Sequence, residues 1–208
     1  MIEIKKYSVT AIGNAMLDLV CEVPDQFLSQ EGISKGVMNL VSMERSNNIL
    51  ELVQPIKETA GGSAANTIST LAKLGLKTGY IGKIADDSKG KLFKKDLLDN
   101  SIFYNTEFLD KGYTEATGKC IVLITPDKER TMNTYLGATE FLTDIDIDEE
   151  LIAQSEWLYL EGYRFDGQKS KKAFYKAIEI AKKNKTKIAL TLSDSCLLYT
   201  SPSPRDLR

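Results

Sequence analysis

The sequence predicts an α/β fold in which a mostly parallel central sheet is covered by helices and a small separate sheet is added to it. Two observations lead to this prediction. In the second half of the chain, short buried strand patterns alternate with helical patterns, as in βαβ units. Earlier stretches are rich in β-forming residues but do not follow that alternation, and they favour a second sheet.

The first two predicted strands are residues 8–13, which end at a glycine, and residues 17–23. Because side chains alternate along a strand, Leu19 and Cys21 share one apolar face of the second strand. Asp18 falls on the opposite face, close to the turn that follows the first strand. We therefore expect its carboxylate to point away from the apolar side of this strand.

Two glycines, Gly61 and Gly62, lead directly into a predicted helix. Residues 64–74 carry Ala, Leu and Ile at helical spacing, and Gly75 stands where helices commonly end. Ser63 is predicted as the N-cap, because a serine hydroxyl there accepts a backbone N–H of the first turn.

The remaining elements follow from the same strand and helix periodicities. Residues 126–129 have the composition of a hairpin turn, and Trp157 and Tyr159 are predicted to lie in the core. The other predicted strands are residues 36–42, 78–84, 103–109, 119–125, 130–136, 157–160 and 187–192, and the other predicted helices are residues 43–52, 88–99, 148–154 and 168–184.

The composition excludes several classes of catalytic site. The 208 residues include no histidine, which excludes Ser-His-Asp and Cys-His catalysis and His-ligated metal sites. Phosphoryl transfer stays compatible, since it relies on positioning, charge stabilisation and one carboxylate base. Cys21, Cys120 and Cys196 are scattered and odd in number, which favours buried thiols in a reducing compartment over disulfides.

Charge and hydropathy limit the partners. Hydrophobic residues make up 42% and charged residues 27%, as is typical of soluble globular proteins. A net charge of −2 gives no indication of nucleic acid or an anionic membrane as partner. No apolar run reaches the roughly 18 residues of a membrane span. The first residues also lack the apolar segment of a secretory signal, and we expect a cytoplasmic protein.

The glycine pair is the strongest local signal for ligand binding. Gly61-Gly62 permits close approach of the backbone to a ligand, and the following helix offers free N–H groups. The pattern is neither a Walker A loop nor the dinucleotide-binding Gly-x-Gly-x-x-Gly, and by itself it is typical of a turn. Asn66, in the first helical turn, presents its amide either to the local backbone or to a ligand hydroxyl.

Asn14 and Asp18 flank the end of the first strand. An ionised carboxylate accepts hydrogen bonds from two adjacent hydroxyls, which suits a sugar diol. The alternative for Asp18 is a solvated polar strand face. Arg130, which follows the predicted hairpin turn, is by itself equally compatible with a surface charge.

Four segments are more informative together than singly, because of their order along the chain: residues 13–18, residues 61–66, Gly82 with Asp86-Asp87 and Gly90, and residues 129–132. In this order they resemble the ribokinase/PfkB carbohydrate kinase family, and the Gly-Gly-x-x-x-Asn helix start is similar to the first signature of that family. Residues 129–138 and 159–163 look like its bacterial adenosine-kinase-like branch.

The resemblance implies a ribokinase-like three-layer sandwich with a mostly parallel central sheet and a small β-sheet lid. It implies transfer of the γ-phosphoryl of ATP, with Mg²⁺, to a primary hydroxyl of a nucleoside or sugar. Adenosine is the first expectation, with ribokinase, fructokinase or another sugar kinase as alternatives. A non-catalytic nucleoside- or sugar-binding module is an alternative of a different class. The resemblance assigns substrate binding to Asn14, Asp18, Gly61, Gly62, Asn66 and Arg130.

The sequence departs from the family in one respect. The second family signature, a Gly-rich turn ending in the catalytic Asp, is absent, and so is the Asn-x-x-Glu element associated with magnesium. We therefore expect the catalytic Asp beyond residue 208, a missing C-terminal part of the fold and an inactive fragment with no metal ligand. Asp194 is predicted to border the nucleotide site.

Two divisions of the chain are predicted. Residues 1–195 form the N-terminal part of a single domain that includes the β lid. Residues 196–208, with two prolines and no periodicity, are predicted to be a non-native tail. We expect a monomer or homodimer whose partners are the small-molecule acceptor and ATP.

Overall fold

The computed structural model describes residues 5–165 and 167–193, which form two β-sheets with flanking helices. The strands are β1 (Tyr7–Ile12), β2 (Met16–Glu22), β3 (Met38–Leu40), β4 (Lys57–Gly61), β5 (Thr78–Ile81), β6 (Gly118–Ile124), β7 (Arg130–Tyr135), β8 (Ser155–Glu161) and β9 (Lys187–Thr191). The helices are α1 (Asp25–Gln30), α2 (Met43–Leu52), α3 (Ser63–Lys73), α4 (Ser88–Asp99), α5 (Glu149–Ala153) and α6 (Gln168–Lys183), with short 3-10 helices at Gly137–Phe141, Asp144–Asp146 and Gly162–Phe165.

The main sheet has the strand order β5-β1-β8-β9, and every neighbouring pair in it is parallel. Consecutive residues of β1 enter different cores. Ala11 belongs to the cluster that contains Ile68 of α3 and Phe93 of α4, whereas Ile12 belongs to the cluster that contains Phe174 of α6. Both faces of the sheet are therefore covered, as parallel sheets require. The predicted α/β fold with a mostly parallel sheet is confirmed.

The second sheet, here called the lid sheet, has five strands in the order β3-β7-β6-β2-β4. One of its faces enters the main core through residues such as Leu19 and Ile121. Its other face carries Val122 and its apolar neighbours. Asp18 of β2 lies on this second face, between strands β6 and β4. The prediction that Asp18 points away from the apolar face of its strand is confirmed.

Most element bounds agree with the sequence to within a few residues, and the helices predicted at residues 43–52 and 88–99 agree at both ends. No prediction covers β4. Its sequence, Lys-Glu-Thr-Ala-Gly, has no apolar alternation, and it is a strand because it pairs antiparallel with β2. The six-residue helix α1 is also absent from the predictions, since it buries only Leu28.

The strand predicted at residues 103–109 is wrong. Phe103 forms an isolated bridge with Gly79, and the segment joins no ladder beyond it. Its backbone instead contacts the loop after β5, where the amide of Leu109 donates to the carbonyl of Ile84. Apolar residues of this segment are buried under that loop. Periodicity alone does not distinguish such a buried segment from a strand.

Two further predictions are corrected. Ser63 is the first residue of α3, and the N-cap is Gly62 with φ 96°, a conformation that favours glycine. Trp157 is 39% exposed rather than buried in the core. It lies near the start of β8, where the Lys187 ammonium group stands 5.1 Å from its ring centre and only partly covers it.

Several sequence predictions concern residues that the structure does not describe. Cys21 and Cys120 are buried free thiols, as expected, but Cys196 lies outside the described residues, as do Asp194 and the tail at 196–208. Within residues 5–165 and 167–193, none of the helices has the length and apolar character needed to cross a bilayer.

Candidate functional site

A cavity of about 340 Å³ lies between the lid sheet and the N-terminal end of α3. Five of the six predicted substrate-binding residues line it, although they come from three separate segments of the chain: Asn14, Asp18, Gly62, Asn66 and Arg130. Gly61, the sixth, is not among the lining residues. The structure thus brings together side chains that the sequence could only place in order.

Gly61 affects the cavity without lining it. A Cβ atom at this position would overlap the carboxyl group of Asp18, so only glycine leaves room for that carboxylate. Gly62 has a similar role on the other side, because a Cβ there would overlap the backbone carbonyl oxygen of Asn14. The two glycines therefore allow β2 and α3 to approach closely at the site.

The Asp18 carboxylate faces the cavity in a partly desolvated position. Burial raises the pKa of Asp18, while a hydrogen bond from Asn66 and the positive charge of Arg130 act in the opposite direction. Asn66 and Asp18 both line this cavity, so the two residues share one site. Arg130 itself is exposed at the start of β7, on the rim.

Asn14 offers a second acceptor. Its residue is 4% exposed, and its side-chain oxygen Oδ1 is buried without a hydrogen-bond partner in the described part of the protein. Buried polar atoms are normally hydrogen-bonded, so an orphaned acceptor in a cavity wall marks a place for a ligand donor. Asn14 and Asp18 together present acceptors that suit hydroxyl groups.

Glu161 is a site residue that the list of predicted binding residues lacks. It ends strand β8, is 1% exposed and lines the same cavity. Its carboxylate accepts hydrogen bonds from the backbone amides of Asn14 at 3.3 Å and Ala64 at 2.7 Å. Burial raises the pKa of Glu161 to about 7, opposed by these two hydrogen bonds and by the charge of Arg164.

A sequence signal for Glu161 does exist. An acidic residue directly after the apolar strand at 157–160 stands at the carboxyl end of a parallel strand, where α/β sheets place their ligand sites. Glu161 is missing from the predicted binding residues because residues 159–163 support the prediction only through their overall likeness to one family branch.

Most of the cavity residues in and around the lid sheet are apolar. Cys120 is one of them, and burial raises the pKa of its thiol to about 11, so the sulfur stays protonated and behaves as a small apolar group. We call this set the apolar wall. Its residues are Met16, Met38, Leu40, Cys120, Val122, Met132 and Leu136.

A comparison of the sequence with family profiles identifies the chain. The profile of the pfkB family carbohydrate kinases matches residues 32–201. The chain belongs to the PfkB carbohydrate kinase family. Its parallel sheet and lid sheet thus belong to the fold of that family, and the resemblance stated from the sequence is confirmed.

Curated relatives of this PfkB chain include sugar-acid kinases. The 5-dehydro-2-deoxygluconokinase of Bacillus licheniformis is 28% identical over 201 residues, covering 96% of this chain and 55% of the relative. The enzyme of the same name from Listeria monocytogenes serovar 1/2a is 34% identical over 155 residues, covering 70% of this chain and 47% of the relative. The chain spans about half the length of the curated relatives it matches.

Solved structures similar to the PfkB chain carry other names. The adenosine kinase from Sinorhizobium meliloti superposes with a TM-score of 0.87 and 38% identity, covering 95% of this chain and 60% of that one. A probable sugar kinase from Rhizobium etli CFN 42 gives a TM-score of 0.87 and 34% identity, with coverages of 94% and 58%. The ribokinase-like fold is shared by these structures.

Metal binding was not predicted for this part of the PfkB fold. Across the described ranges, no group of three or more Cys, Asp or Glu side chains is arranged to hold a metal ion. Asp194, predicted to border the nucleotide, lies outside those ranges.

Proposed function

We propose that this chain forms the acceptor-binding part of an ATP-dependent kinase whose acceptor is a nucleoside, with adenosine as the first candidate. One observation carries the proposal: the cavity combines the hydrogen-bond acceptors of Asn14 and Asp18 with the apolar wall. A nucleoside has the matching composition, since its ribose is rich in hydroxyl groups and its base is flat and largely apolar on both faces.

The hydrogen-bond acceptors of the cavity suit a vicinal diol. The Asp18 carboxylate accepts from two neighbouring hydroxyls, and the unpartnered Oδ1 of Asn14 accepts from a further donor. The neighbouring Asn66 amide favours the ionised form of Asp18 by lowering its pKa. A ribose bound in this way would be oriented by charge-assisted hydrogen bonds, which are stronger than those between neutral groups.

The apolar wall suits the base. Three methionines in it, Met16, Met38 and Met132, are flexible and polarisable, and such side chains contact aromatic rings favourably. Burying one face of a base against the wall contributes about 25 cal/mol for each Å² of apolar surface removed from water. A simple sugar or sugar acid has no flat apolar group to use this wall.

Phosphoryl transfer requires ATP, and in kinases Mg²⁺ neutralises charge on the transferred phosphoryl group. The described residues provide no cluster for the ion, and their own contribution is to bind and orient the acceptor hydroxyl and exclude water from it. Because the sequence lacks the Gly-rich turn that carries the catalytic Asp in this family, we propose that the 208-residue chain alone does not turn over.

A second candidate acceptor is 5-dehydro-2-deoxygluconate, a sugar acid named by the curated relatives. Arg130 favours it, because a guanidinium group at the rim of the cavity is well suited to bind a carboxylate in two parallel hydrogen bonds. In this case the apolar wall would remain largely unused, and for that reason we place the nucleoside first.

Calorimetric titration of the 208-residue chain separates these proposals. We expect adenosine to bind more tightly than ribose or 5-dehydro-2-deoxygluconate, and Asp18→Ala to abolish binding. Tighter binding of the sugar acid, lost in Arg130→Ala, would favour the second candidate. A chain that binds none of the three would contradict acceptor binding altogether. A coupled ADP-release assay with adenosine tests the proposed lack of turnover, and sustained ADP formation would refute it.

A further inference from the structure

Helix α4 contacts both halves of the molecule. Its apolar side is fixed to the main core, where the ring centre of Phe93 lies 5.9 Å from that of Tyr80 on β5. Its polar side reaches the lid sheet through Asp87, the N-cap residue, and Asp96, two turns further on. The helix thus links the sheet that anchors the fold to the sheet that carries Asp18.

Asp96 binds the edge strand of the lid sheet. Its Oδ2 atom accepts hydrogen bonds from the backbone amide of Ala60 at 2.8 Å and from the Thr59 hydroxyl at 3.2 Å. Among the described strands, β4 has only β2 as a neighbour, and Asp96 binds the other backbone edge of β4. Edge strands without such a partner are weakly held.

Asp87 holds the strand on the other side of β2. Its carboxylate accepts from the backbone amide and from the hydroxyl of Thr117, both at 2.8 Å, and Thr117 directly precedes β6. The lid sheet runs β6-β2-β4 at this point, so the two α4 carboxylates grip both neighbours of the strand that carries Asp18.

The distances agree with a helix laid across three strands. Nine residues of α-helix separate the two carboxylates by roughly 13 Å along the axis. Two inter-strand spacings span about 10 Å. A third link supports the arrangement, since the ammonium group of Lys89 on α4 lies 3.8 Å from the Glu58 carboxylate on β4.

The hydrogen bonds between Asp96 and β4 lie beside the most crowded position of the site. Ala60, whose amide Asp96 binds, is followed by Gly61, against whose backbone the Asp18 carboxyl packs so closely that a Cβ would overlap it. Thr59 lies opposite Asp18 in the ladder. A shift of β4 therefore moves the surface that determines where the Asp18 carboxylate points.

We propose that Asp96 is a positioning residue: by holding β4 from the fixed helix α4, it sets the position of Gly61 and, through it, the direction of the Asp18 carboxylate toward the acceptor hydroxyls. The consequence for binding rests on the proposed function, whereas the mechanical link between α4, β4 and Asp18 does not. Asp87 holds the residue before β6 from the same helix.

The test compares Asp96→Ala with Asp96→Asn and with Asp99→Ala in the 208-residue chain. Asparagine keeps an acceptor oxygen at the position of Oδ2 and should rescue the contact. Asp99 is the matched control, because it lies on the same helix and pairs only with Lys95 at the surface among the described ion pairs. Two readouts need no ligand: hydrogen exchange of the β4 amides and the ¹³C chemical shift of the Asp18 carboxyl carbon. The third readout is the affinity for adenosine.

In Asp96→Ala we expect faster exchange at Ala60, a changed Asp18 carboxyl shift and about tenfold weaker adenosine binding. Asp96→Asn and Asp99→Ala should resemble wild type in all three. Unchanged exchange and an unchanged Asp18 shift in Asp96→Ala would overturn the proposal. A variant that loses protection throughout the chain, without rescue by asparagine, would also overturn it, because Asp96 would then be a general stability residue.

The proposed function and the positioning role of Asp96 would be contradicted by different results. If wild type binds no adenosine, the proposed function fails, and the two ligand-free readouts still decide whether Asp96 positions Asp18. If wild type binds adenosine and Asp96→Ala binds it equally well despite faster exchange at β4, the positioning role is wrong and the nucleoside proposal stands.

Discussion

The Oε2 atom of Glu161 lies 2.7 Å from the backbone nitrogen of Ala64. A carboxylate at the end of β8 therefore accepts a hydrogen bond from a first-turn amide of α3, although the two residues are 97 positions apart in the sequence. The helix has no side-chain cap of its own, because its N-cap is Gly62. The same carboxylate accepts the amide of Asn14. One buried acid therefore ties together the two segments that supply Asn14 and Asn66 to the cavity.

Stability should depend on pH through Glu161. The ordinary pKa of 4.5 is raised to about 7 in the folded protein, so the folded state binds the proton more tightly than the unfolded state does. Its contribution is fully present below pH 4.5 and is lost as the pH rises toward 7. The loss corresponds to roughly 3 kcal/mol in the free energy of unfolding.

Urea denaturation of wild type and Glu161→Gln at several pH values measures this contribution. Since other carboxylates titrate in both proteins, the quantity to follow is the difference between them. We expect the free energy of unfolding of wild type to fall relative to the glutamine variant as the pH increases through this window. A difference that is constant or rises with pH would contradict the assignment.

Gly61→Ala should damage binding more than stability. The new Cβ overlaps the Asp18 carboxyl, which is the end of a side chain and swings away without disturbing the backbone. We expect the free energy of unfolding to change by about 1 kcal/mol or less, and adenosine affinity to fall at least about tenfold. Gly112→Ala is the control, because nothing lies within 4 Å of a Cβ there. Equal adenosine affinity in both variants would exclude a role for the Asp18 position.

The apolar wall should distinguish a nucleoside from its sugar. Met132→Ala removes a side chain from the wall but leaves the acceptors of Asn14 and Asp18 in place. Adenosine affinity should fall about tenfold, which corresponds to the loss of a well-packed methionine contact, while ribose binding stays the same. Competition titrations with both ligands measure this. A parallel loss for ribose would show that the variant disturbs the whole cavity.

The ion pair between Lys83 and Asp146 is almost fully buried, with side-chain exposures of 10% and 7%. Lys83→Met leaves the Asp146 carboxylate without its countercharge in a desolvated position. We expect the free energy of unfolding to decrease by about 3 kcal/mol. Lys95→Met, which removes an exposed pair with Asp99, should leave the denaturation midpoint unchanged. Similar changes in the free energy of unfolding for the two variants would mean that burial does not determine how much the Lys83–Asp146 ion pair stabilises the fold.

The fold and most of the site were predictable because their signals are local. The 3.6-residue spacing of α2 and α4, the apolar strands β1 and β6, and the diglycine before α3 each follow from neighbouring residues. The order of motifs then indicated a common site for Asn14, Asp18 and Asn66. β4 and the segment 103–109 were not predictable in this way, because pairing with β2 and packing under the β5 loop depend on distant residues.

The sequence by itself determined the family of the protein, the absence of histidine chemistry and five of the residues that line the cavity. Only the tertiary structure decided the contacts of Glu161 and Asp96, and the position of Gly61 against the carboxylate that it accommodates. The physical reason is the range of the interactions. Periodicity and turn propensity act between near neighbours, whereas a buried hydrogen bond joins groups that become close only when both sheets have formed around α3 and α4.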